Sequence, residues 1–422
     1  MSGYKSIAEP REISIRRLTL LCGANSSGKS SILQPLLLLK QTLDAPYDPG
    51  ALRISGPNVA FTRTDQFLSR IAGQPPRKDF SIQIEYDREI KIRINYRKDP
   101  EEKILITRLD YSRGGKTRTL TPNMRQKSIK KVLDEIFPDT GSLFKRWKLK
   151  IERQRCFLGV NATSAKSDDI VPSFFISPVG ELMRLIPAVI HVPGLRGNPE
   201  RTYRTTAVQD EFPGLFSDYV ASIIHTWQID NDDRLNKLGE YLKKLNLTWR
   251  VDAKAIDDTR VEVRVGRMPK ARRGGAHDMV SIADVGFGVS QMLAVLVALL
   301  TAKPNQLVYI EQPELHLHPL AQVRLAELLV EAANRGVRLV VETHSSIILL
   351  TIQSIVVEGD IEPERVALHW FERRDSDGVT EITSAPIDKE GAFGDWPVDF
   401  GDIELESQSR FLDAYEKLRK TV

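Results

Sequence analysis

An α/β fold built on a mixed, largely parallel sheet is what the sequence predicts, and three stretches predict it. RRLTLLCGANSSGKSSILQPLLLLKQTL passes from a short apolar strand through a glycine-rich turn into a helix running from about Gly28 to Leu43. FSIQIEYDREIKIRINY, residues 80 to 96, alternates Phe80, Ile82, Ile84, Tyr86 and then Ile90, Ile92, Ile94, Tyr96 around a polar centre, the pattern of a half-buried antiparallel hairpin. From about residue 280 the apolar strands LVYIE and VRLVVE alternate with helical patterns at 288–302, 319–335 and 345–356, which is the order that builds a parallel sheet.

Taken in order, residues 1–124 form an N-terminal lobe with the glycine-rich turn and an antiparallel β-subdomain, which KILITRLDY (103–111) extends. Residues 125–248 carry helical patterns such as SIKKVLDEIF and DDRLNKLGEYLKKLNL, joined by loops rich in Pro, Gly and Ser, and predict a mainly helical insertion. Strand pattern returns in WRVDAKAIDDTRVEVRVGR (249–267), opening a C-terminal lobe over 249–362 that a small module, 363–422, follows. The chain has no internal repeat, low-complexity tract or long heptad run.

At 422 residues and 41% hydrophobic the chain can bury a large core. It contains no run of about 18 to 20 apolar residues, and MSGYKSIAEPRE lacks an apolar signal core, so the expectation is a cytoplasmic protein without a membrane partner. Cys22 and Cys156 are too few for a disulfide framework or a cysteine zinc site. The net charge of +4 is unevenly spread: residues 125–155 hold ten Lys/Arg against four Asp/Glu, and RMPKARRGG (267–275) is also basic. Such patches suit a nucleic-acid phosphate backbone and suit a solvated surface equally well.

GANSSGKS, Gly23 to Ser30, fits the phosphate-binding pattern G-x-x-x-x-G-K-[ST] in the context it requires, after a strand and opening a helix. Gly23, Asn25, Ser26, Ser27, Gly28 and Ser31 belong to the backbone cradle, Lys29 reaches the β- and γ-phosphates, and Ser30 is a ligand for Mg²⁺. The expected cofactors are ATP and Mg²⁺. LVYIE (307–311) ends in Glu311, the acid of the metal shell, and VVETHSS (340–346) delivers His344 toward the γ-phosphate.

ADVGFGVSQMLAVLVALL (283–300) puts a small glycine-rich turn directly before an apolar helix and about 20 residues ahead of LVYIE. This order resembles the ABC-type ATPases of the RecF, SMC and OLD group. EQPELHLHP, ETHS, GAFGDWPVDF (391–400) and HVPGLRGNPERTYR (191–204) resemble a prokaryotic branch of it. The resemblance implies an ABC-type ATPase head in which Gly288 and Ser290 of one protomer cap the nucleotide of another. ATP then closes a homodimer or higher oligomer. It further implies a protein effector encoded nearby, a nuclease or toxin in an antiphage operon.

Two departures from that pattern bear on catalysis. In register with LSGGQ, FGVSQ (287–291) puts Gly288 where a serine usually contacts the γ-phosphate, leaving Ser290 or helix N–H groups to substitute. The usual Asp-Glu pair is Glu311-Gln312, and a glutamine does not titrate. Gln312 can still position water as a glutamine does in small GTPases, with Glu314 the nearest carboxylate able to polarise it. Slow hydrolysis and a non-hydrolysing, ATP-fastened scaffold both follow from these residues, and a RecF-like DNA clamp is a third reading. Glu314, His316 and His318 also alternate like a metal site, although they match the group's ELHLHP turn. IVVEGD (355–360) imitates the first element of a Toprim nuclease, but EGDIEPERVALHWFE (358–372) resembles the group's ordinary C-terminal module, so no nuclease site is expected in this chain.

Overall fold

The strand β1 (Leu18–Gly23) is buried along its whole length, and its alternation assigns Leu18, Leu20 and Cys22 to one core and Leu21 to another. The computed structural model describes residues 1–87, 89–101, 103–136, 147–164, 173–267, 278–394 and 409–410. After β1 and α1 (Lys29–Leu43) come the strands β2 (Asp79–Tyr86), β3 (Ile90–Lys98), β4 (Ile104–Arg113) and β5 (Lys116–Leu120). Next are α2 (Gln126–Ile136), β6 (Trp147–Gln154), β7 (Phe157–Ser164), β8 (Ser173–Ile176), α3 (Gly180–Leu185), β9 (Ile190–Val192) and β10 (Tyr203–Arg204). The remainder is α4 (Val220–Ile229), α5 (Asp233–Lys244), β11 (Val251–Asp257), β12 (Arg260–Gly266), β13 (Met279–Ser281), α6 (Phe287–Thr301), β14 (Leu307–Glu311), α7 (Pro319–Asn334), β15 (Arg338–Glu342), α8 (Ser346–Glu358), β16 (Val366–Arg373) and β17 (Thr380–Ala385).

The central sheet has the order β17-β16-β1-β15-β14-β9, parallel throughout except for the antiparallel edge strand β17. β15 therefore lies between β1, which leads into the glycine-rich phosphate-binding turn (the P-loop), and the acidic strand β14, with Leu21 opposite Glu342 and Glu342 opposite Glu311. Helices α4 to α8 supply most of the core on one face, and the antiparallel sheet β2-β3-β4-β5 stands over the other with α1. The hairpin pairs Phe80 with Tyr96, Ile82 with Ile94 and Ile84 with Ile92, as the period-two alternation requires.

The mixed α/β architecture is as predicted. Between 125 and 248, where the sequence predicts mainly helix, the structure holds α2 to α5 but also the three-stranded sheet β6-β7-β8 and β9 of the central sheet. Their strand signal is weak for different reasons: WKLKIERQ hides its alternation of Leu149 and Ile151 among Lys, Glu and Arg, whereas SFFI and IHV are too short to show a period. Both cysteines are buried and free. No described helix is long and apolar enough to cross a membrane. Residues 395–400 of the GAFGDWPVDF segment and 268–275 of the basic loop lie outside the described residues.

Candidate functional site

The glycine-rich turn connects β1 to α1 where the C-terminal edge of the parallel sheet opens. Gly23 has φ +134°, and a Cβ there would lie 2.0 Å from the Phe371 carbonyl oxygen, so only glycine lets β16 run this close. Gly28 has φ +105°, and its Cβ would meet the Thr380 hydroxyl at 2.5 Å. That hydroxyl, buried in β17, donates to the Ser27 carbonyl at 2.7 Å and sits 2.8 Å from Ser6 Oγ, so the antiparallel edge strand pins the turn. α1 has no side-chain cap, and the backbone N–H groups of Gly28, Lys29 and Ser30 have no hydrogen-bond partner among the described residues. Free N–H groups at a helix start, beside a buried ammonium, fit an anionic phosphate chain. Lys29 Nζ meanwhile donates to the carbonyls of Gly23 (3.0 Å) and Ala24 (2.7 Å). Burial lowers its pKa, against the raising influence of the Glu342 carboxylate.

The carboxylates are divided between two strands. The Ser30 hydroxyl donates to Glu342 Oε1 at 3.0 Å, and the buried Tyr309 hydroxyl donates to Glu342 Oε2 at 2.9 Å. Glu311 is turned to the other side: Oε1 is 3.2 Å from His191 Nε2, and Oε2 accepts from the Gly194 N–H at 3.2 Å. His191 stacks on Tyr309 and places Nδ1 3.1 Å from Asn58 Oδ1. Burial opposes the charge of Glu311, yet the bonds from His191 and Gly194 prevail and hold its carboxyl below the ordinary range. Burial, then the neighbouring Glu311, raises that of Glu342.

Gln312 has φ +43°, a left-handed conformation that a non-glycine residue holds at a cost of about 1 kcal/mol, and its N–H donates to the Glu342 carbonyl at 2.7 Å. Glu314 accepts from the His344 N–H at 2.7 Å through Oε1, while Oε2 is buried with no hydrogen-bond partner. Burial raises the Glu314 carboxyl. His344 is half-buried, and burial followed by the Lys29 charge lowers its pKa, so the imidazole is neutral near pH 7. Lys29, Ser30, Gln312, Glu314 and His344 are thus brought to the ends of three neighbouring strands or the turns that leave them. The Glu-His-His alternation splits: the exposed His316 has φ +67°, and His318 Nδ1 accepts from the Leu320 N–H as the cap of α7. Among the described residues no three His, Cys, Asp or Glu side chains form a metal cluster.

Gly288 and Ser290 lie at the start of α6. A Cβ on Gly288 would approach only Leu247 and the His316 carbonyl, and Ser290 Oγ donates to the Phe287 carbonyl at 3.0 Å. Phe287 beside them is 53% exposed, so this turn is available to a second molecule. A residue that periodicity did not single out joins α6 to the acidic strand. Arg196 donates to the carbonyls of Glu311 (2.8 Å), Gln312 (3.4 Å) and Gln291 (3.3 Å), and Gln291 Nε2 returns a bond to Gly197 at 2.9 Å. Burial lowers the Arg196 pKa to about 10. Arg196→Ala is expected to reduce nucleotide turnover at least tenfold, since it unties both segments, while ATP affinity stays near wild type because no P-loop contact is lost. Kinetics and an equilibrium titration on one preparation check this.

The basic residues Arg125, Lys127 and Lys131 are exposed on or just before α2, and Ile129 and Leu133 anchor its opposite face. Arg272 and Arg273 lie outside the described residues. If these residues meet a nucleic acid or an acidic partner, charge reversal at Lys130, Lys131, Arg272 and Arg273 weakens that binding and flattens its salt dependence, as phosphate contacts do. A binding series against salt concentration checks this, and no duplex or single-strand binding at low salt leaves a solvated surface.

Residues 2–157 match a family model described as AAA ATPase domain, and residues 207–350 match one described as AAA domain, putative AbiEii toxin, Type IV TA system. Lys29 and Ser30 lie in the first segment and Glu311, Gln312, Glu314, Glu342 and His344 in the second, so both halves of the site are similar to ATPase domains. His191 and Arg196 lie between the segments. Among solved structures, the chain is similar to an Smc head bound to the C-terminal winged-helix domain of ScpA, at 15% identity over 92% of this chain and 96% of that one, TM-score 0.49. The Smc head with an extended coiled coil from Pyrococcus furiosus gives 14% identity over 98% of each chain, TM-score 0.47. The SMC head from Thermotoga maritima gives 12% over 92% of this chain and 97% of that one, TM-score 0.40. No curated protein matches the chain.

Proposed function

We propose that this chain binds ATP with Mg²⁺, hydrolyses it slowly, and uses the bound nucleotide to close a homodimer that controls a partner effector. The observation that carries the reading is the convergence at the sheet edge of Lys29, the free N–H groups of α1 and Ser30 with Glu314, whose second oxygen is buried and unpaired. The ammonium and the N–H groups hold the β- and γ-phosphates. A divalent cation, when bound, neutralises phosphate charge in the transition state. Gln312 orients the attacking water, the free oxygen of Glu314 takes its proton, and neutral His344 hydrogen-bonds the γ-phosphate. Dimer closure is supported by the resemblance of the FGVSQ turn to the group's signature, which places Gly288 and Ser290 on another protomer's nucleotide. The effector reading, in a defence setting with a toxin or nuclease, draws on the motifs EQPELHLHP and ETHS and on the toxin–antitoxin wording of the second matched family.

One observation favours a second reading, the ATP-fastened scaffold that does not turn over. Gln312 occupies the usual position of the base and cannot titrate, and burial favours the neutral form of Glu314. Steady-state ATP turnover, with solution mass measured with and without ATP, separates the two. Measurable turnover with ATP-dependent dimerisation supports the switch, and ATP-dependent mass without turnover, even with the partner present, supports the scaffold.

A further inference from the structure

The Ser30 hydroxyl has a carboxylate partner, but not the one at the end of the acidic strand. We infer that Glu342, the last residue of β15, is the carboxylate that joins Ser30 in holding the divalent cation of a bound nucleotide, and that Glu311 serves as a positioning residue behind it. The inference rests on the ATP reading above.

The sheet order produces this. Because β15 is inserted between β1 and β14, its end is next to the P-loop, and Glu342 lies between Leu21 and Glu311 in register. Glu342 is 5% exposed, and its hydrogen-bond donors are the hydroxyls of Ser30 and Tyr309. Two oxygens each about 2.1 Å from one octahedral ion and at right angles stand about 3 Å apart. Ser30 Oγ and Glu342 Oε1 are already 3.0 Å apart. Rotation of the hydroxyl proton away from Glu342 exposes a lone pair, and the two oxygens can then ligate without a backbone shift. Tyr309 continues to hold the other carboxylate oxygen. Both oxygens of Glu311, by contrast, are spent on His191 and the Gly194 N–H, and His191 is braced in turn by Asn58. Asn58 Nδ2 donates to the Gly214 carbonyl at 3.3 Å, which turns its Oδ1 to the imidazole. Swinging Glu311 toward Ser30 would break that chain.

The test is the gain in ATP affinity that Mg²⁺ confers, read from titrations of a fluorescent ATP analogue in Mg²⁺ and in EDTA, on wild type, Glu342→Gln and Glu311→Gln. Glutamine keeps a carbonyl acceptor for one of the two hydroxyls and offers its amide NH₂ to the oxygen of the other, so the fold should persist, and a thermal melt checks it. Expected is a loss of about tenfold or more of the Mg²⁺-dependent gain in Glu342→Gln, with affinity in EDTA unchanged, while Glu311→Gln retains the gain. If the Gln variant lacks a folding transition, Glu342→Asp replaces it, and its shortened reach should lose the gain as well. A wild-type gain in the Glu342 variant, or a loss in Glu311→Gln as complete as in Glu342→Gln, overturns the assignment while leaving ATP binding established. Failure of wild type to bind the analogue in either buffer overturns the ATP reading itself, and this inference with it.

Discussion

Lys29→Ala is expected to bind ATP at least about a hundredfold more weakly than wild type, the worth of two charge-assisted hydrogen bonds of about 1.5 kcal/mol each, and to lose all turnover. Lys29 is 4% exposed, and its ammonium holds the Gly23 and Ala24 carbonyls. A phosphate chain offers it full negative charge in the same partly desolvated place, where the interaction is stronger than in water. Alanine leaves the helix N–H groups to hold that charge alone. An equilibrium titration of wild type and variant, with thermal melts to show that both are folded, checks the expectation. Unchanged affinity refutes the P-loop assignment, and with it every role given to Ser30, Glu342 and Glu314.

Glu314→Gln is expected to lower turnover by about a hundredfold or more, the usual worth of a positioned general base, while ATP affinity remains near wild type. If the proposed switch operates, the variant collects as an ATP-bound dimer or larger assembly, because in that scheme closure precedes the step it blocks. A glutamine carbonyl can still accept the His344 N–H that Oε1 accepts at 2.7 Å, so the turn holds its shape. What disappears is the unpaired oxygen Oε2. The pH dependence carries a sign as well. Burial raises the Glu314 carboxyl, and only its ionised form takes a proton from water, so wild-type turnover falls with decreasing pH along a limb above the ordinary glutamate value of about 4.3. ATP affinity, turnover rate across pH and solution mass test this together. Wild-type turnover in Glu314→Gln excludes Glu314 as the essential carboxylate.

The P-loop, the β2–β3 hairpin and the alternation of β14 and β15 with α6, α7 and α8 were legible because their signals span few residues. Gly23 and Gly28 are required by a local backbone path, and Phe80 to Tyr96 alternate because a strand turns over every second residue. Lys29, Ser30, Glu311, Gln312, Glu314 and His344 could likewise be named from spacing within their own segments. The pairing of Ser30 with Glu342 could not, since the two are 312 positions apart and meet only because β15 is inserted between β1 and β14. No local pattern marks Thr380, which pins Ser27 from the far edge of the sheet, and HVPGLRGNPERTYR marks the stretch that holds Arg196 without telling that this arginine ties α6 to β14. Strand order, edge strands and buried side chains from loops depend on long-range packing, which leaves no period in a sequence. Residue types and their local geometry are therefore written in this chain's motifs, whereas the choice of which carboxylate faces Ser30 belongs to the assembled sheet.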